Sequence, residues 1–429
     1  MVKLQKPDAT LGATVVEFAN GSRLLVKRTN SEKDKIYVTV SLGNGRAGAA
    51  PEQMHALWAA ELMPTGGTGK LSFSDIQRWT AAGGKLVTAQ MRAGNRAFHL
   101  TGVTRPADFA SQMQLLAAFA RDPGFRQEFW DRLVAIGPML SGQLDANPGG
   151  VFTREVARMF GGADLRFSEI PDRADLAKTT AADVKALVST ALAGAADVTI
   201  VGDVDVATAI SVMNSTFVAG PARPGTPISP VRLAMPKPGA APINVKHSGR
   251  ADQAVYGQFG SLPDFRSDPK LSRIAEVAAA IVQARMIDTV REKLGLTYSP
   301  SAGAEALVSL PGQGYFHVSL ETPPSNFDQF ATLLSAQFMD LATKPVTADE
   351  LERARRPLAE ASGKQHAKNE WWATHLSTWW REPAIRNWLL DGPEGINAVT
   401  AADVQAFAAK FIVGRKPVII TATSNACVP

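Results

Sequence analysis

The pentapeptide TAADV occurs twice in this chain, at Thr180 and, 220 residues later, at Thr400. In each copy a threonine suited to cap a helix precedes an aspartate at the third helical position. A β-rich run follows each predicted helix, DVTIV in the first copy and PVIITAT in the second. A repeat with a spacing of about 200 residues indicates a duplicated domain, since the repeat units of solenoids are much shorter. We therefore expect two α+β domains of similar fold, at residues 1–220 and 243–429.

The stretch between the domains and the patterns within them support the same organisation. Residues 221–242 are rich in proline and lack hydrophobic periodicity, as expected of a semi-rigid linker. Residues 15–26, VVEFANGSRLLV, predict a hairpin around Asn20-Gly21, because Asn-Gly strongly favours a tight turn. Predicted strands such as 35–42 alternate with amphipathic helices. The expected fold class is α+β, with two homologous domains that are each a mostly antiparallel sheet covered by helices.

Charge and composition exclude several classes of partner. The chain has 45 Lys and Arg against 40 Asp and Glu, and no basic block is long enough to indicate a nucleic-acid partner. No apolar run reaches the length of a membrane-spanning helix, so we expect no membrane insertion. The single cysteine, Cys427, excludes an internal disulfide. The N-terminal residues MVKLQKPDAT are too polar for a secretory signal. We expect a soluble protein, of the periplasm or cytoplasm if its source is bacterial.

A predicted helix-to-strand turn at residues 290–301, VREKLGLTYSPS, holds the first candidate site. Apolar residues at helical spacing predict a helix over 271–291, and Gly295 suits the left-handed residue that ends a helix. Arg291 then lies on the last helical turn and Tyr298 at the start of a strand. Their side chains can both donate hydrogen bonds to one carbonyl oxygen. The alternative is a solvated arginine and a half-buried aromatic residue, and the spacing alone leaves both open.

A second candidate is the loop at residues 43–48, GNGRAG, which matches the G-x-G-x-x-G pattern of dinucleotide-binding loops. It follows a predicted strand and precedes a predicted helix, as that pattern requires. The surrounding sequence lacks a clear βαβ unit and an acidic residue at the end of the next strand. The loop therefore supports a nucleotide-binding oxidoreductase only as a remote alternative.

The histidines and tryptophans give no cofactor site. The six histidines are scattered, and no three have the spacing of zinc ligands, so this chain alone is not expected to form a zinc site. Trp371, Trp372, Trp379 and Trp380 fall on one face of a predicted helix. Such a stripe is more typical of packing between elements than of ligand stacking.

Several of these segments together resemble the insulinase, or pitrilysin, family of zinc metallopeptidases, which includes the mitochondrial processing peptidases. The resemblance rests on ANGSRLLVKRT at 19–29, on residues 66–84, on the TAADV helices and above all on VREKLGLTYSPSAG at 290–303. It implies two homologous α+β domains joined by a linker, with two such pairs facing each other as a clamshell. In the family, the arginine and tyrosine at the positions of Arg291 and Tyr298 reach the scissile carbonyl in the other half.

The chain departs from this family at the zinc site. The inverted motif His-x-x-Glu-His corresponds here to Trp58, Glu61 and Leu62, so both histidine positions are lost. The third ligand, a glutamate, corresponds to residues 139–140, which are Met and Leu. The resemblance therefore implies that this chain binds no cofactor and that zinc belongs to a homologous partner half or subunit. It also implies no peptidase activity alone, because without zinc Glu61 has no activated water to deprotonate.

The function implied is that of a non-catalytic half or subunit that closes over an unfolded peptide. Arg291 and Tyr298 would stabilise the oxyanion formed at the partner's zinc site. The peptide is expected to lie as an extra strand at a sheet edge of the catalytic half. The alternative is a structural scaffold of the same fold, like the core subunits of respiratory complexes, with no catalytic role. Retention of both Arg291 and Tyr298 favours the catalytic-support function.

Overall fold

The computed structural model describes most of the chain. The described residues are 1–161, 164–167, 172–219, 241–264, 268–294, 300–306, 314–380 and 382–426. For residues 51, 161, 165, 291–294 and 306 the description is limited to the backbone. The predicted linker 221–242 lies almost wholly outside the described residues.

Strands and helices follow one another in the mixed order that was expected. The strands are β1 (Val2–Asp8), β2 (Ala13–Phe18), β3 (Arg23–Arg28), β4 (Ile36–Leu42), β5 (Gln90–Ala93), β6 (Phe98–Thr104), β7 (Asp197–Gly202), β8 (Ile243–His247), β9 (Val255–Leu262), β10 (Ser301–Ala306), β11 (Gly314–Glu321) and β12 (Val418–Ser424). The α-helices are α1 (Leu57–Ala60), α2 (Phe73–Ala82), α3 (Phe109–Arg121), α4 (Gln127–Ala146), α5 (Pro148–Gly161), α6 (Arg173–Lys178), α7 (Ala181–Leu192), α8 (Val206–Ser215), α9 (Pro269–Leu294), α10 (Phe327–Thr343), α11 (Ala348–His366), α12 (Asn369–Trp379), α13 (Ile385–Asn397) and α14 (Ala401–Phe407). A π-helical turn, Ala408–Val413, continues α14.

These elements form two compact units, and neither unit is continuous in sequence. The segments of unit 1 are Met1–Pro138, Pro171–Pro230 and Lys364–Arg386, and those of unit 2 are Met139–Ile170, Val231–Gly363 and Asn387–Pro429. The units differ from the predicted domains 1–220 and 243–429 by two segments. Residues 139–170 belong to unit 2, and residues 364–386 belong to unit 1. The segment with α5 belongs to unit 2, and the segment with α12 belongs to unit 1.

Among the described residues, unit 1 forms a seven-stranded sheet in the order β1-β2-β3-β7-β4-β6-β5. The β3-β7 pair is parallel and the other neighbours are antiparallel. The predicted hairpin at Asn20-Gly21 is confirmed by β2 and β3, with Gly21 at a φ of 87°. Helices α3 and α7 bury one face of the sheet. Helix α12 packs on the other face, over β4 and β7.

Unit 2 contains a five-stranded sheet in the order β10-β11-β9-β12-β8, counted over the described part of the chain. Its β12-β8 pair is parallel and the other neighbours are antiparallel. Helices α9 and α10 bury one face, with Phe316 and Val318 of β11 packed beneath them. Helix α5 covers the opposite face, where Phe152 and Phe160 contact Phe259 in β9.

The two units repeat one topology. The order β3-β7-β4-β6-β5 of unit 1 corresponds to β8-β12-β9-β11-β10 of unit 2, with the parallel pair at the same place. Helix α7 precedes β7 as α14 precedes β12, so Thr180 and Thr400 occupy equivalent positions. The expected fold class, two homologous and mostly antiparallel sheets covered by helices, is confirmed.

Both TAADV helices begin with the predicted reciprocal cap. The Thr400 hydroxyl accepts the Asp403 N–H at 3.1 Å, and the Asp403 carboxylate accepts the Thr400 N–H at 2.9 Å. Thr180 and Asp183 make the same pair at 3.2 Å in both directions. These bonds satisfy backbone N–H groups that a helix start leaves without intrahelical partners.

No single helix in the described part of the chain is long and apolar enough to cross a membrane. Helix α13 and the segment Ala401–Val413 reach that length and composition only as a pair, and the pair is bent by 112°.

The exchanged segments give a test on fragments. We expect a chain cut by a protease within 220–240 to remain one particle on gel filtration, because each half supplies a covering helix to the sheet of the other. When the fragments are expressed separately, 1–219 lacks α12 over its sheet and 241–429 lacks α5 over its sheet. Neither fragment should then show a cooperative thermal transition by circular dichroism. If either fragment alone melts within a few degrees of the uncut chain, the exchange does not stabilise the fold.

The caps give a second test, by substitution of Thr400. Thr400→Ala should lower the free energy of unfolding by about 1 kcal/mol at neutral pH, as measured in urea. The exposed Thr332→Ala in α10 is the control and should change it by less than about 0.5 kcal/mol. The Thr400 hydroxyl holds the pKa of Asp403 below its ordinary value. The stabilisation by the ionised cap is therefore present above about pH 4 and is lost as pH falls through the lowered pKa. An effect of Thr400→Ala that grows on acidification would contradict this.

Candidate functional site

The region of Trp58, Glu61 and Leu62, where the zinc motif of the family would lie, consists of short helical segments. A 3₁₀ segment at Pro51–Ala56 leads into α1, which has a single turn, and a second 3₁₀ segment follows at Met63–Gly66. Prolines at the start of both 3₁₀ segments, and Gly67 with a φ of 72°, limit regular helix here. Trp58 lies in α1, whereas Leu62 lies between α1 and the second 3₁₀ segment. A pair of ligands four residues apart needs one continuous helical face.

Trp58 has a structural partner within unit 1. Its indole Nε1 donates to the Thr179 hydroxyl at 3.0 Å, and that hydroxyl lies 2.7 Å from the carbonyl oxygen of His55. His55 Nε2 lies 3.1 Å from a carboxylate oxygen of Asp183, which caps α7. The Thr180 hydroxyl and then His55 hold the pKa of Asp183 below its ordinary value. These contacts tie the α1 region to the start of α7.

Glu61 is also engaged in the fold. Its Oε1 accepts the backbone N–H of Ala93 in β5 at 3.0 Å and lies 3.8 Å from Nη2 of Arg46. The Arg46 side chain is 3% exposed, and its Nε donates to the Ala93 carbonyl oxygen at 2.8 Å. Glu61 therefore connects α1 to an edge strand and a buried cation, which is a structural role.

The positions that correspond to the third zinc ligand hold no carboxylate. Met139 and Leu140, where the third ligand was sought, lie in α4 with 55% and 38% of their surface exposed. Among the described residues, no three His, Cys, Asp or Glu side chains lie close enough together to hold a metal ion.

The glycine-rich loop at 43–48 is used by unit 1 itself. The N–H groups of Arg46 and Ala47 donate to the carbonyl oxygens of Gly94 and Asn95 at 2.9 and 3.0 Å. The preceding strand β4 has antiparallel neighbours on both sides, so the parallel βαβ unit of a dinucleotide site is absent around it. These two N–H groups are not available to bind a phosphate.

The tryptophan stripe packs α12 on the sheet of unit 1. Trp380 Nε1 donates to Thr199 Oγ1 at 3.3 Å, and the Arg23 guanidinium lies 4.5 Å from the centre of the Trp380 ring. The Lys27 ammonium lies 4.2 Å from the Trp372 ring, and burial lowers the pKa of Lys27. The expectation of packing over ligand stacking agrees with this geometry.

The Arg291 and Tyr298 pair lies outside the described residues, except for the backbone of Arg291 in α9. Helix α9 runs to Leu294, so Gly295 follows its last residue, and β10 begins at Ser301. Arg285 anchors this helix with hydrogen bonds of 2.6 and 3.0 Å to Glu350 and of 3.0 Å to Asp340. The turn of Arg291 is therefore built on a helix that is fixed to α10 and α11.

The dipeptide Phe-His is a second repeated element, and it was not predicted from the sequence. Phe98-His99 in β6 and Phe316-His317 in β11 occupy equivalent places in the two sheets, next to β4 and β9. His99 Nδ1 lies 2.9 Å from the Ser41 hydroxyl. Ser41 is fully buried, so this pair does not act as a nucleophile and base. The shared dipeptide Phe-His was the available signal, and it is too short to stand out.

Residues 180–358 match the family model of the peptidase M16 inactive domain. This part of the chain is similar to a peptidase M16 inactive domain. The resemblance drawn from the sequence is thus confirmed at the level of this family. No curated protein matches the chain.

Solved structures share the fold of this chain at low sequence identity. One is the ferredoxin protease FusC, a mutant in complex with Arabidopsis ferredoxin, with a TM-score of 0.79 and 16% identity over 99% of this chain and 46% of that one. The periplasmic protease PqqL from Escherichia coli has a TM-score of 0.77 and 17% identity over 98% of this chain and 46% of that one. A peptidase M16 inactive domain from Pseudomonas fluorescens has a TM-score of 0.76 and 19% identity over 98% of this chain and 100% of that one. The chain thus spans about half the length of the two proteases.

The geometry of Glu61 in unit 1 predicts that its loss lowers stability. Glu61→Ala leaves the Ala93 N–H without its acceptor and should lower the free energy of unfolding by about 1–3 kcal/mol in urea. Glu61→Gln keeps an acceptor oxygen and should cost less. Metal analysis of the purified chain should find no stoichiometric zinc in the wild type or either variant. One tightly held zinc per chain, lost in Glu61→Gln, would contradict the structural role.

Proposed function

We propose that this chain is the non-catalytic half or subunit of a zinc peptidase, and that it closes over a peptide bound to a zinc-carrying homologous half. The observation that carries the proposal is the pattern of coverage. Nearly the whole chain matches the fold of 46% of each of two longer proteases. It also matches the full length of an M16 inactive domain.

The residues at the expected zinc positions support the assignment of zinc binding to the partner half. Trp58 and Leu62 have no metal-binding atoms, and the Glu61 carboxylate accepts a backbone N–H and lies near buried Arg46. Zinc, its activated water and the general base belong to the partner half in this proposal. The chain alone then has no peptidase activity.

Arg291 and Tyr298 are the groups that this half contributes to the reaction. The carbonyl oxygen of the scissile bond gains negative charge as water attacks, and fixed donors that are complementary to that charge lower the barrier. The anchoring of α9 through Arg285 supports a rigid position for the turn that carries Arg291. A guanidinium and a phenol are both hydrogen-bond donors at neutral pH.

The substrate in this proposal is a polypeptide in an extended conformation. The FusC structure holds another protein, ferredoxin, which fits a polypeptide substrate for a relative of this chain. An extended segment can pair through its main chain with a sheet edge of the zinc-carrying half. The clamshell arrangement of the two halves then shields the scissile bond from bulk water and leaves the zinc-bound water to attack it.

The decisive test is Tyr298→Phe in a verified complex with the zinc-carrying half, because only the hydroxyl is removed. We expect turnover to fall by about 10²–10³-fold, a loss typical of one oxyanion donor. Arg291→Ala should act similarly, and Arg291→Lys should not restore the rate, because a point charge cannot replace a planar fork. The control is Arg353→Gln, an exposed residue of α11 whose loss should leave turnover unchanged.

Assembly must be measured beside turnover, by gel filtration of each complex. Variants that assemble normally and have unchanged kcat and KM would refute the catalytic-support role and favour a scaffold of the same fold. Variants that fail to assemble would assign Arg291 and Tyr298 to the contact between the halves.

A further inference from the structure

Unit 2 contains an open pocket of about 280 Å³ between its sheet, helix α10 and the π turn Ala408–Val413. Its floor and walls are mainly apolar, and they include Phe316, Phe338, Met339 and Phe411. Gly260 in β9 contributes no side chain there. A cavity of about 150 Å³ is enough to bind benzene, so this pocket has room for one large apolar side chain and a small polar group.

The pocket lies beside a one-residue insertion in the second repeat. The strand registers show which residues are equivalent. Ser41 of β4 pairs with His99 on one side and with Asp197 on the other. Phe259 of β9 pairs in the same way with His317 and Val418, so Asp197 and Val418 are equivalent. Asp197 follows Thr180 by 17 residues, whereas Val418 follows Thr400 by 18. The loops before the two strands, 193–196 and 414–417, have equal lengths, so the extra residue lies in the helix.

The structure accommodates that extra residue as the π turn Ala408–Val413. The Gly414 N–H donates to the Ala409 carbonyl oxygen at 2.9 Å, five residues back. Three residues of this turn, Phe411, Ile412 and Val413, line the pocket. Such turns are rare and are frequent at functional sites. The equivalent helix of unit 1, α7, is regular to its end.

Two cations lie at the pocket. The Arg415 guanidinium is 4.9 Å from the centre of the Phe411 ring, and its Nη1 donates to the Ser261 carbonyl oxygen at 3.0 Å. Lys416 is exposed and also lines the pocket. Across the described residues, no carboxylate pairs with either side chain. An apolar pocket beside two unneutralised cations is complementary to an apolar group that carries a negative charge.

We propose that this pocket binds the C-terminal residue of a peptide. A large apolar side chain fills the space between Phe316, Phe338 and Phe411, and the terminal carboxylate accepts hydrogen bonds from Arg415 and Lys416. The choice of a peptide over other amphipathic anions rests on the proposed function. The site would hold one end of a substrate or product on unit 2.

The test is calorimetric titration of the intact chain, without a partner half, with N-acetyl-glycyl-glycyl-phenylalanine. The same peptide with a C-terminal amide lacks the charge and should bind at least about tenfold more weakly. Lys416→Gln and Arg415→Gln should bring the affinity of the acid toward that of the amide. Lys416 is the cleaner site, because its side chain is exposed, whereas Arg415 also lies over the Phe411 ring and donates to the Ser261 carbonyl oxygen.

Two further variants serve as steric probe and control. A Cβ at Gly260 would lie 3.4 Å from the Phe411 carbonyl oxygen, so Gly260→Ala fits the fold and narrows the floor. It should weaken both peptides equally. Arg353→Gln, which removes an exposed cation of α11, should change neither affinity.

Equal binding of acid and amide, no binding of either, or affinities unchanged in the Lys416 and Arg415 variants would overturn the proposal. Binding of decanoate without binding of the peptide acid would also overturn it, since the occupant would then be a fatty acid. The measurement needs neither zinc nor cleavage. Failure here leaves the Tyr298 experiment unaffected, and failure there leaves this binding result unaffected.

Discussion

Each sheet of this protein is covered on both faces, and the chain supplies the second cover from the other half of its sequence. Helices from its own half cover one face of each sheet, and α12 or α5 covers the other. Without its cover the sheet of unit 2 exposes apolar side chains, and the sheet of unit 1 loses its contacts with Trp372 and Trp380. Exchange of the two segments therefore makes the halves of the chain dependent on each other.

Helices α5 and α12 pack on equivalent sheet faces of the two units through different kinds of contact. Under α5, the sheet offers apolar residues such as Phe259 and Ile420, and burial of apolar area holds the helix. Under α12, the sheet offers Thr199 and an Arg23–Asp197 ion pair with bonds of 2.7 and 2.9 Å. Polar contacts depend on geometry far more than apolar ones do, so the cover of unit 1 is the more specific and that of unit 2 the more tolerant of substitution.

Much of the fold could be predicted from the sequence, because many of its signals are local. The turn at Asn20-Gly21 and the caps at Thr180 and Thr400 depend on residues a few positions apart. The exchange of α5 and α12 could not be predicted, because an amphipathic stripe indicates that a face is packed and not which sheet it meets. The Arg291 and Tyr298 site rests on a resemblance, and its side chains lie outside the described residues. The pocket at Gly260 depends on one inserted residue, which is visible only once both strand registers are known.

The exchange also orders events during synthesis. Helix α5 leaves the ribosome before any strand of unit 2, so the apolar face of that sheet meets its cover as soon as it forms. The sheet of unit 1 is complete at Gly202 and must wait for α12, for a time on the order of ten seconds at typical rates of translation. Thr199 and the Arg23–Asp197 pair on the face that α12 will cover are suited to that interval, because polar side chains interact with water and reduce aggregation. The polarity difference between the two faces therefore matches the order in which their covers are made.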